Sequence, residues 1–543
     1  MRLLRVKVIS AKTCGGLLDD LDVWFRNPFD VSFDFDPLCL IGPNGAGKSQ
    51  FLQVLSEMFQ SVIHACLPNE ERKESNPDLQ FILEYMIRID SEESPVHIKV
   101  SREAKTRNRR AILIIERKTN DEWVTCLFED AKTHELLPQR IVGYTSGDNE
   151  TLSLPFLISR SEYANGVGID ALNPTTKKTL IPDTRLMLID YGTHLEVLVA
   201  NLLLGSEKQR KALLEEANLK DIRSFRCVIQ LAHTAVPKAP NRRGAVRKGI
   251  QLTDELEEYL KQLQKCATCY DYDDKIEKYT FDFWVNEQSK TAFKYFWENA
   301  LKLYSALHKL AMLNDLAISR KTRERFESAL ESRRFASRLP EPQDEDKVFR
   351  FDRVTFTSTK DRNEEVDYVS LSDGEHQLVQ LLGTLSMLSE PNVCFLLDEP
   401  ESHFNPQWRV KFVSRLLNLH TSNGTRGDEK ALVAQQECLM TTHAPFVPSD
   451  MQKEKVFIFG KENGKVVVRH PDIETYGTTF DSILEECFNV RPPISGVARQ
   501  EIDDLMKNTN PDEIRAGMQR LGDSVEKVFL ADRVRQLLKK DGK

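Results

Sequence analysis

The sequence predicts an α/β protein whose sheet is assembled from two distant parts of the chain, with a mainly helical insertion between them and a helical tail after them. Three observations carry this. A glycine-rich loop, Gly42–Ser49, stands between an apolar run and a stretch with helical periodicity. A second apolar run, Val393–Leu397, ends in two acids, Asp398 and Glu399. A third, Cys438–Thr442, ends at His443. Strands that deliver polar residues at their carboxyl ends are how open α/β sheets build ligand sites.

With 543 residues the chain is long enough for a large core and an appendage. Charged residues make up 29% of it and no run of about 18 apolar residues could span a bilayer, which predicts a protein without membrane contact. The ten cysteines are scattered, and several sit in apolar strand-like runs, which points to a reducing, cytoplasmic setting. Cys266 and Cys269 are the one close pair; a structural zinc needs four ligands, and no second pair lies nearby. A net charge of -8 excludes a protein coated in nucleic acid but permits a local basic groove, for which Ser101–Arg110 and Lys238–Lys248 are the candidates.

Taken in order, residues 3–10 and 29–41 read as strands leading into Gly42-Pro43-Asn44-Gly45-Ala46-Gly47-Lys48-Ser49, which fits GxxxxGK[ST]. In that motif the glycines let backbone amides wrap a phosphate at a helix N-terminus, the lysine reaches the β/γ oxygens, and the serine hydroxyl ligates Mg²⁺. Short alternating runs from about 79 to 145, ending in RIVGYTS, suggest an antiparallel layer. Residues 184–233 read as strand, two helices and strand. After a basic break comes a stretch read as largely helical to about 335, in which KTAFKYFWENALKLYSALHKLAML carries continuous helical periodicity. The expected divisions are 1–235 for the first lobe, 236–345 for the helical insertion, 346–490 for the second lobe and 491–543 for the tail.

The second lobe repeats the logic of the first. A buried strand ending in Asp398-Glu399-Pro400 places Asp398 to hold the Mg²⁺ shell and Glu399 to orient or deprotonate the water that attacks a γ-phosphate. Leu371-Ser372-Asp373-Gly374-Glu375 ends 23 residues earlier (398 − 375), with a helix-like run between. Ser372 with Glu375 three residues on also forms a capping box, and both readings hold together.

LSDGE resembles the LSGGQ signature of ABC ATPases, and the order signature, helix, Walker B belongs to that family. Glu401-Ser402-His403-Phe404-Asn405-Pro406 is similar to the ExHLHP stretch of the branch that includes RecF, SMC and OLD-type proteins, and TTHAP resembles its switch-histidine segment. Lys48 and Leu371 are 323 residues apart (371 − 48), so the head is split by an insertion, as in that branch. Together with YTSGDNETLSLPF, YGTTFDSILEE and LGDSVEK, these motifs resemble the restriction-associated ATPases of bacterial defence, the PtuA type of Septu and retron-associated Septu systems among them.

The resemblance implies ATP and Mg²⁺ as cofactors, with Gly42–Ser49 and Asp398 holding them, Glu399 catalytic, and His443 sensing the γ-phosphate. It implies a homodimer or higher homo-oligomer in which Ser372 and Gly374 of one copy cap the phosphate bound by another. Asp373 and Glu375 depart from the Gly and Gln of transporter signatures. The resemblance further implies an HNH nuclease subunit controlled by ATP, and, in the retron-associated form, a reverse transcriptase with its RNA/DNA product. Two alternatives stand: a RecF-like DNA repair ATPase that binds duplex through the basic loops, and a self-contained nuclease. Arg226 with His233, in a strand-like run, and Asp503-Asp504, on a helix, are its only candidates and read as structural. Gln139 is the candidate Q-loop residue, Tyr144–Thr151 a polar lining, and Cys14-Gly15-Gly16 the place where related heads contact ribose or base.

Overall fold

The computed structural model describes residues 1–104, 111–147, 150–172, 181–189, 191–215, 219–238, 247–331, 341–359 and 365–541. The two basic loops fall mostly outside these residues. Arg102 is buried and pairs with Glu74, and Arg247 binds both carboxylate oxygens of Glu257.

The chain divides into two compact units, Met1–Tyr476 and Gly477–Lys543. At the centre of the first lies a seven-stranded sheet in the order Lys465–Arg469, Val456–Glu462, Leu38–Ile41, Glu437–Thr442, Val393–Asp398, Arg140–Thr145, Leu186–Ile189. All neighbours are parallel except the first pair, a hairpin turning at Asn463-Gly464. A parallel strand covered on both faces reads as a near-continuous apolar run, and Leu38–Ile41, Val393–Asp398 and Glu437–Thr442 are buried at every position, with polar residues only at the ends of the last two.

Two expectations change here. The run RIVGYTS does not join the antiparallel layer: Arg140–Thr145 lies in the parallel sheet, paired residue by residue with Val393–Asp398. The first strand, Arg2–Ser10, does not lead into the phosphate loop but enters the six-stranded antiparallel sheet that flanks it, with Asp22–Trp24 and the strands from Gln80 to Thr125. Residues 29–37 form no strand.

A third, five-stranded antiparallel sheet joins the two halves of the chain. Leu219–Gln230 pairs with Phe349–Ser358 on one side and with Lys278–Trp284 on the other, and Cys269–Asp273 forms one edge. The stretch 236–345 therefore carries a hairpin as well as helices. Its longest periodic run is broken in two, Glu287–Trp297 and Ala300–Met312. Glu298 adopts φ 59° and the Asn299 side chain accepts from the Lys302 amide, so the asparagine caps a new helix where apolar spacing alone reads through.

The second unit holds four helices, Phe480–Phe488, Gly496–Lys507, Pro511–Arg520 and Val525–Asp541, and the last three enclose a small core of Ile502, Leu505, Ile514, Leu530 and Val534. Asp503 and Asp504 lie on the second of these helices.

Candidate functional site

The site is built at the carboxyl edge of the parallel sheet. In register, Thr442 lies beside Ile41, Asp398 beside Thr441, and Asp398 beside Thr145, so the phosphate-loop strand, the His443 strand, the acid strand and Arg140–Thr145 all end together. The loop Gly42–Ser49 needs glycine at two tight points. Gly42 has φ 143°, and a Cβ there would stand 2.2 Å from the Phe459 carbonyl oxygen; Gly47 has φ 92°, and a Cβ would stand 2.8 Å from Val466. Pro43, Asn44 and Gly45 are exposed at the tip, Ala46 is buried beneath it, and Gly47 starts the helix Lys48–Cys66, whose free amides point back into the loop.

Five of the expected residues meet. Lys48 Nζ donates to the carbonyls of Gly42 (2.8 Å) and Pro43 (3.2 Å) and lies 3.0 Å from His443 Nε2. Burial lowers the Lys48 ammonium to about 8, against the pull of the Glu399 and Asp398 charges. The Ser49 hydroxyl donates to Asp398 Oδ1 at 2.9 Å, so the two expected Mg²⁺ ligands already share a bond. His443 Nε2 is also 3.2 Å from Glu399 Oε1. That single nitrogen accepts from Lys48 in the tautomer that carries its proton on Nδ1 and donates to Glu399 in the tautomer that carries it on Nε2. The His443 contact holds the Glu399 carboxyl below its ordinary range, with further help from the His443 and Lys48 charges, so Glu399 is an available base at neutral pH.

Thr441 and Thr442 organise this cluster, and the sequence reading gave them no role. The Thr441 hydroxyl donates to Asp398 Oδ1 (2.6 Å) and accepts from the Glu399 amide (3.0 Å), fixing both acids. The Thr442 hydroxyl donates to Glu401 and accepts from the Ala444 amide (2.9 Å). Burial pushes the Glu401 carboxyl above the ordinary range. Glu399 itself sits at φ 49°, a left-handed backbone that turns its side chain away from the strand direction. The only sequence signal for the threonines is their place just before His443; their partners follow from parallel register, which no local pattern encodes.

Ser372 and Gly374 lie elsewhere. Ser372 caps the helix Asp373–Met387, with Glu375 binding back to its amide and hydroxyl at 2.8 and 2.7 Å. Gly374 packs on the His403 carbonyl, and His403 Nε2 meets the Ser146 carbonyl at 3.1 Å, so the start of this helix sits over the loops that follow Val393–Asp398 and Arg140–Thr145. The body of the helix is bonded to Asn201 and Gln209, in the helices after the Leu186–Ile189 strand. At about 4.8 Å per strand, these positions are two to four strands, or roughly 10–19 Å, from the phosphate-loop strand along the sheet.

The remaining candidates divide. Gln139 lies at the opposite edge: its amide bonds the Asn392 carbonyl before the start of the acid strand, so it does not reach the phosphate loop. Ser146, at the other end of the same strand, donates its amide to the Asp398 carbonyl. Of the expected polar lining, residues 148 and 149 lie outside the described residues. Gly15 and Gly16 take φ 61° and 76°, and the leucines after them, Leu17 and Leu18, pack against Gly47. Arg226 is held by both oxygens of Asp282 on the neighbouring strand. Among the described residues no cluster of metal-ligating side chains is found around Cys266 and Cys269, and no helix is long and apolar enough to cross a membrane.

The arrangement can bind a triphosphate on loop amides and Lys48, hold a divalent cation between Ser49 and Asp398, and orient water through Glu399. Residues 265–449, which include Ser372, Asp398, Glu399 and His443, match the family model described as AAA domain, putative AbiEii toxin, Type IV TA system. Residues 265–449 thus resemble an AAA-type ATPase domain, and the loop Gly42–Ser49 lies some 220 residues upstream of the matched segment.

Proposed function

We propose that this protein binds and hydrolyses ATP with Mg²⁺ at sites shared between copies of itself, and that it is the regulatory subunit of an antiphage defence complex that scaffolds and controls a separate nuclease of the HNH type. The observation that carries the ATPase reading is the convergence of Lys48, Ser49, Asp398, Glu399 and His443 on one point at the sheet edge, from segments almost 400 residues apart. The separation of Ser372 and Gly374 from that point supports closure by a second copy. A helix N-terminus attracts anions, and the first residues of this one, Ser372 and Asp373, are exposed. The defence reading rests on the motif resemblance and is in keeping with the toxin–antitoxin description of the matched family.

The test is direct. Lys48→Ala abolishes ATP binding in a filter or calorimetric assay, whereas Glu399→Gln binds ATP at near-parental affinity and turns it over at least a hundredfold more slowly. Co-purification with the products of neighbouring genes, with and without ATP, tests the nuclease partner. Parental binding by Lys48→Ala would overturn the site.

A further inference from the structure

The signature-like loop brings a carboxylate to a place where a triphosphate is expected, which is electrostatically costly. Asp373 is the first residue of the helix Asp373–Met387, is exposed, and has no hydrogen-bond or ion-pair partner among the described residues, whereas the neighbouring Glu375 is folded back on Ser372. Like charges brought within a few ångströms repel, so a second copy that docks this loop on a bound nucleotide needs a compensating cation nearby.

The phosphate-loop side carries one. Lys461, on the strand Val456–Glu462, places its ammonium 4.0 Å from the position a Cβ of Gly45 would occupy, at the exposed tip of the phosphate loop. It too is exposed and has no hydrogen-bond or ion-pair partner among the described residues. The strand that carries it is held firmly against the loop: the Phe459 carbonyl abuts Gly42, Val466 abuts Gly47, and the Val466 amide bonds the Leu17 carbonyl at 3.1 Å. Lys461 is thus an unneutralised cation on a rigid mount beside the loop.

We propose that Lys461 of one copy pairs with Asp373 of a second copy across the ATP-bound interface, so that the acid in the signature-like loop is tolerated next to the nucleotide and like copies are selected by charge complementarity. This rests on the composite-site reading above, and it adds to that reading a partner surface and a specific contact.

A double-mutant cycle tests it in the full chain carrying Glu399→Gln, which holds ATP. Dimerisation is measured by sedimentation velocity with ATP and Mg²⁺ for the parent, Lys461→Ala, Asp373→Gly and the pair. Lys461→Ala is expected to raise the dimer dissociation constant about tenfold when Asp373 is present and less than twofold when it is glycine, because the cation then has no acid to offset. The difference should shrink in 0.5 M NaCl. Equal effects in both backgrounds would mean that Lys461 acts on the nucleotide alone and would overturn the pairing, as would no effect in either. A parent that binds ATP but stays monomeric would overturn the composite-site reading itself, a result separable from the other two because it appears before either surface residue is changed. Both positions are exposed, so the variants keep the fold, which circular dichroism checks.

Discussion

The hydroxyl of Thr441 donates to Asp398 and accepts from the Glu399 amide, so exchange of that hydroxyl for a methyl group tests both acids at once. Thr441→Val keeps shape and burial but leaves Asp398 held by Ser49 and free to turn from the cation. The expected outcome is ATP turnover reduced about tenfold, equivalent to ~1.4 kcal/mol, with a raised Mg²⁺ concentration for half-maximal rate. Thr441→Ser should restore both; an Mg²⁺ profile identical to the parent's would reduce Thr441 to packing. Lys48 makes a different kind of prediction. Its folded-state value of about 8 lies below the ordinary 10.5, so the unfolded chain holds more protons between those limits. Stability should therefore rise as pH goes from about 8 towards 10.5, and below 8 the buried ammonium costs up to about 3 kcal/mol. Lys48→Met is expected to be more resistant to urea than the parent at pH 7, by a margin that narrows as pH is raised to 10; a margin independent of pH would show that burial is not what lowers the lysine.

At the scale of elements, Gly143 joins a strand to a helix. It lies in Arg140–Thr145, and a Cβ there would fall 2.6 Å from the ring of Phe156, on the helix Glu150–Leu172. The helix approaches the sheet at van der Waals distance because that residue has no side chain. Gly143→Ala is expected to lower the urea unfolding free energy by about 1–3 kcal/mol, and Phe156→Leu in the same chain to recover part of it. This strand also marks the limit of what the sequence discloses. The elements with strong local signals are legible: the phosphate loop and its helix, the acid strand, the His443 strand, and the capping box at Ser372. The sheet that Arg140–Thr145 enters is not, because RIVGYTS has the length and pattern of its antiparallel neighbours, and its partner is Val393–Asp398, some 250 residues away. Distance along the chain also hid the role of Thr441, whose partners lie 42 and 43 residues away, whereas the hairpin Cys269–Trp284 is local and lies inside a stretch whose flanking helical periodicity dominates the reading. Asn299 is likewise a local signal, an N-cap residue inside a periodic run that apolar spacing outweighed.

Over the whole first unit, the question is what holds two lobes together when their strands are drawn from opposite ends of the chain. Much of the answer is a buried polar seam between residues 1–36 and 434–438. Arg2 donates to the carbonyls of Ala434 and Gln436, each at 2.6 Å. Glu437 accepts from the Leu3 amide (2.7 Å), from Arg26 (2.6 Å) and from the Cys438 amide (3.1 Å), while Arg26 also donates to the carbonyls of Leu3 and Asp36. With 6% and 1% of their side chains exposed, Arg26 and Glu437 form a pair that solvent does not screen. Removal of one partner of such a pair strands a buried charge, whereas removal of both trades the pair for apolar packing. Arg26→Ala is therefore expected to cost about 3–5 kcal/mol in denaturant unfolding, and Arg26→Met with Glu437→Met to cost much less than the single change. Since the seam fixes Glu437, at the base of the strand that carries Thr441 and His443, Arg26→Ala should also weaken ATP binding under mild urea, before global unfolding. Unchanged nucleotide affinity up to the unfolding transition would show that the seam stabilises the fold without positioning the site.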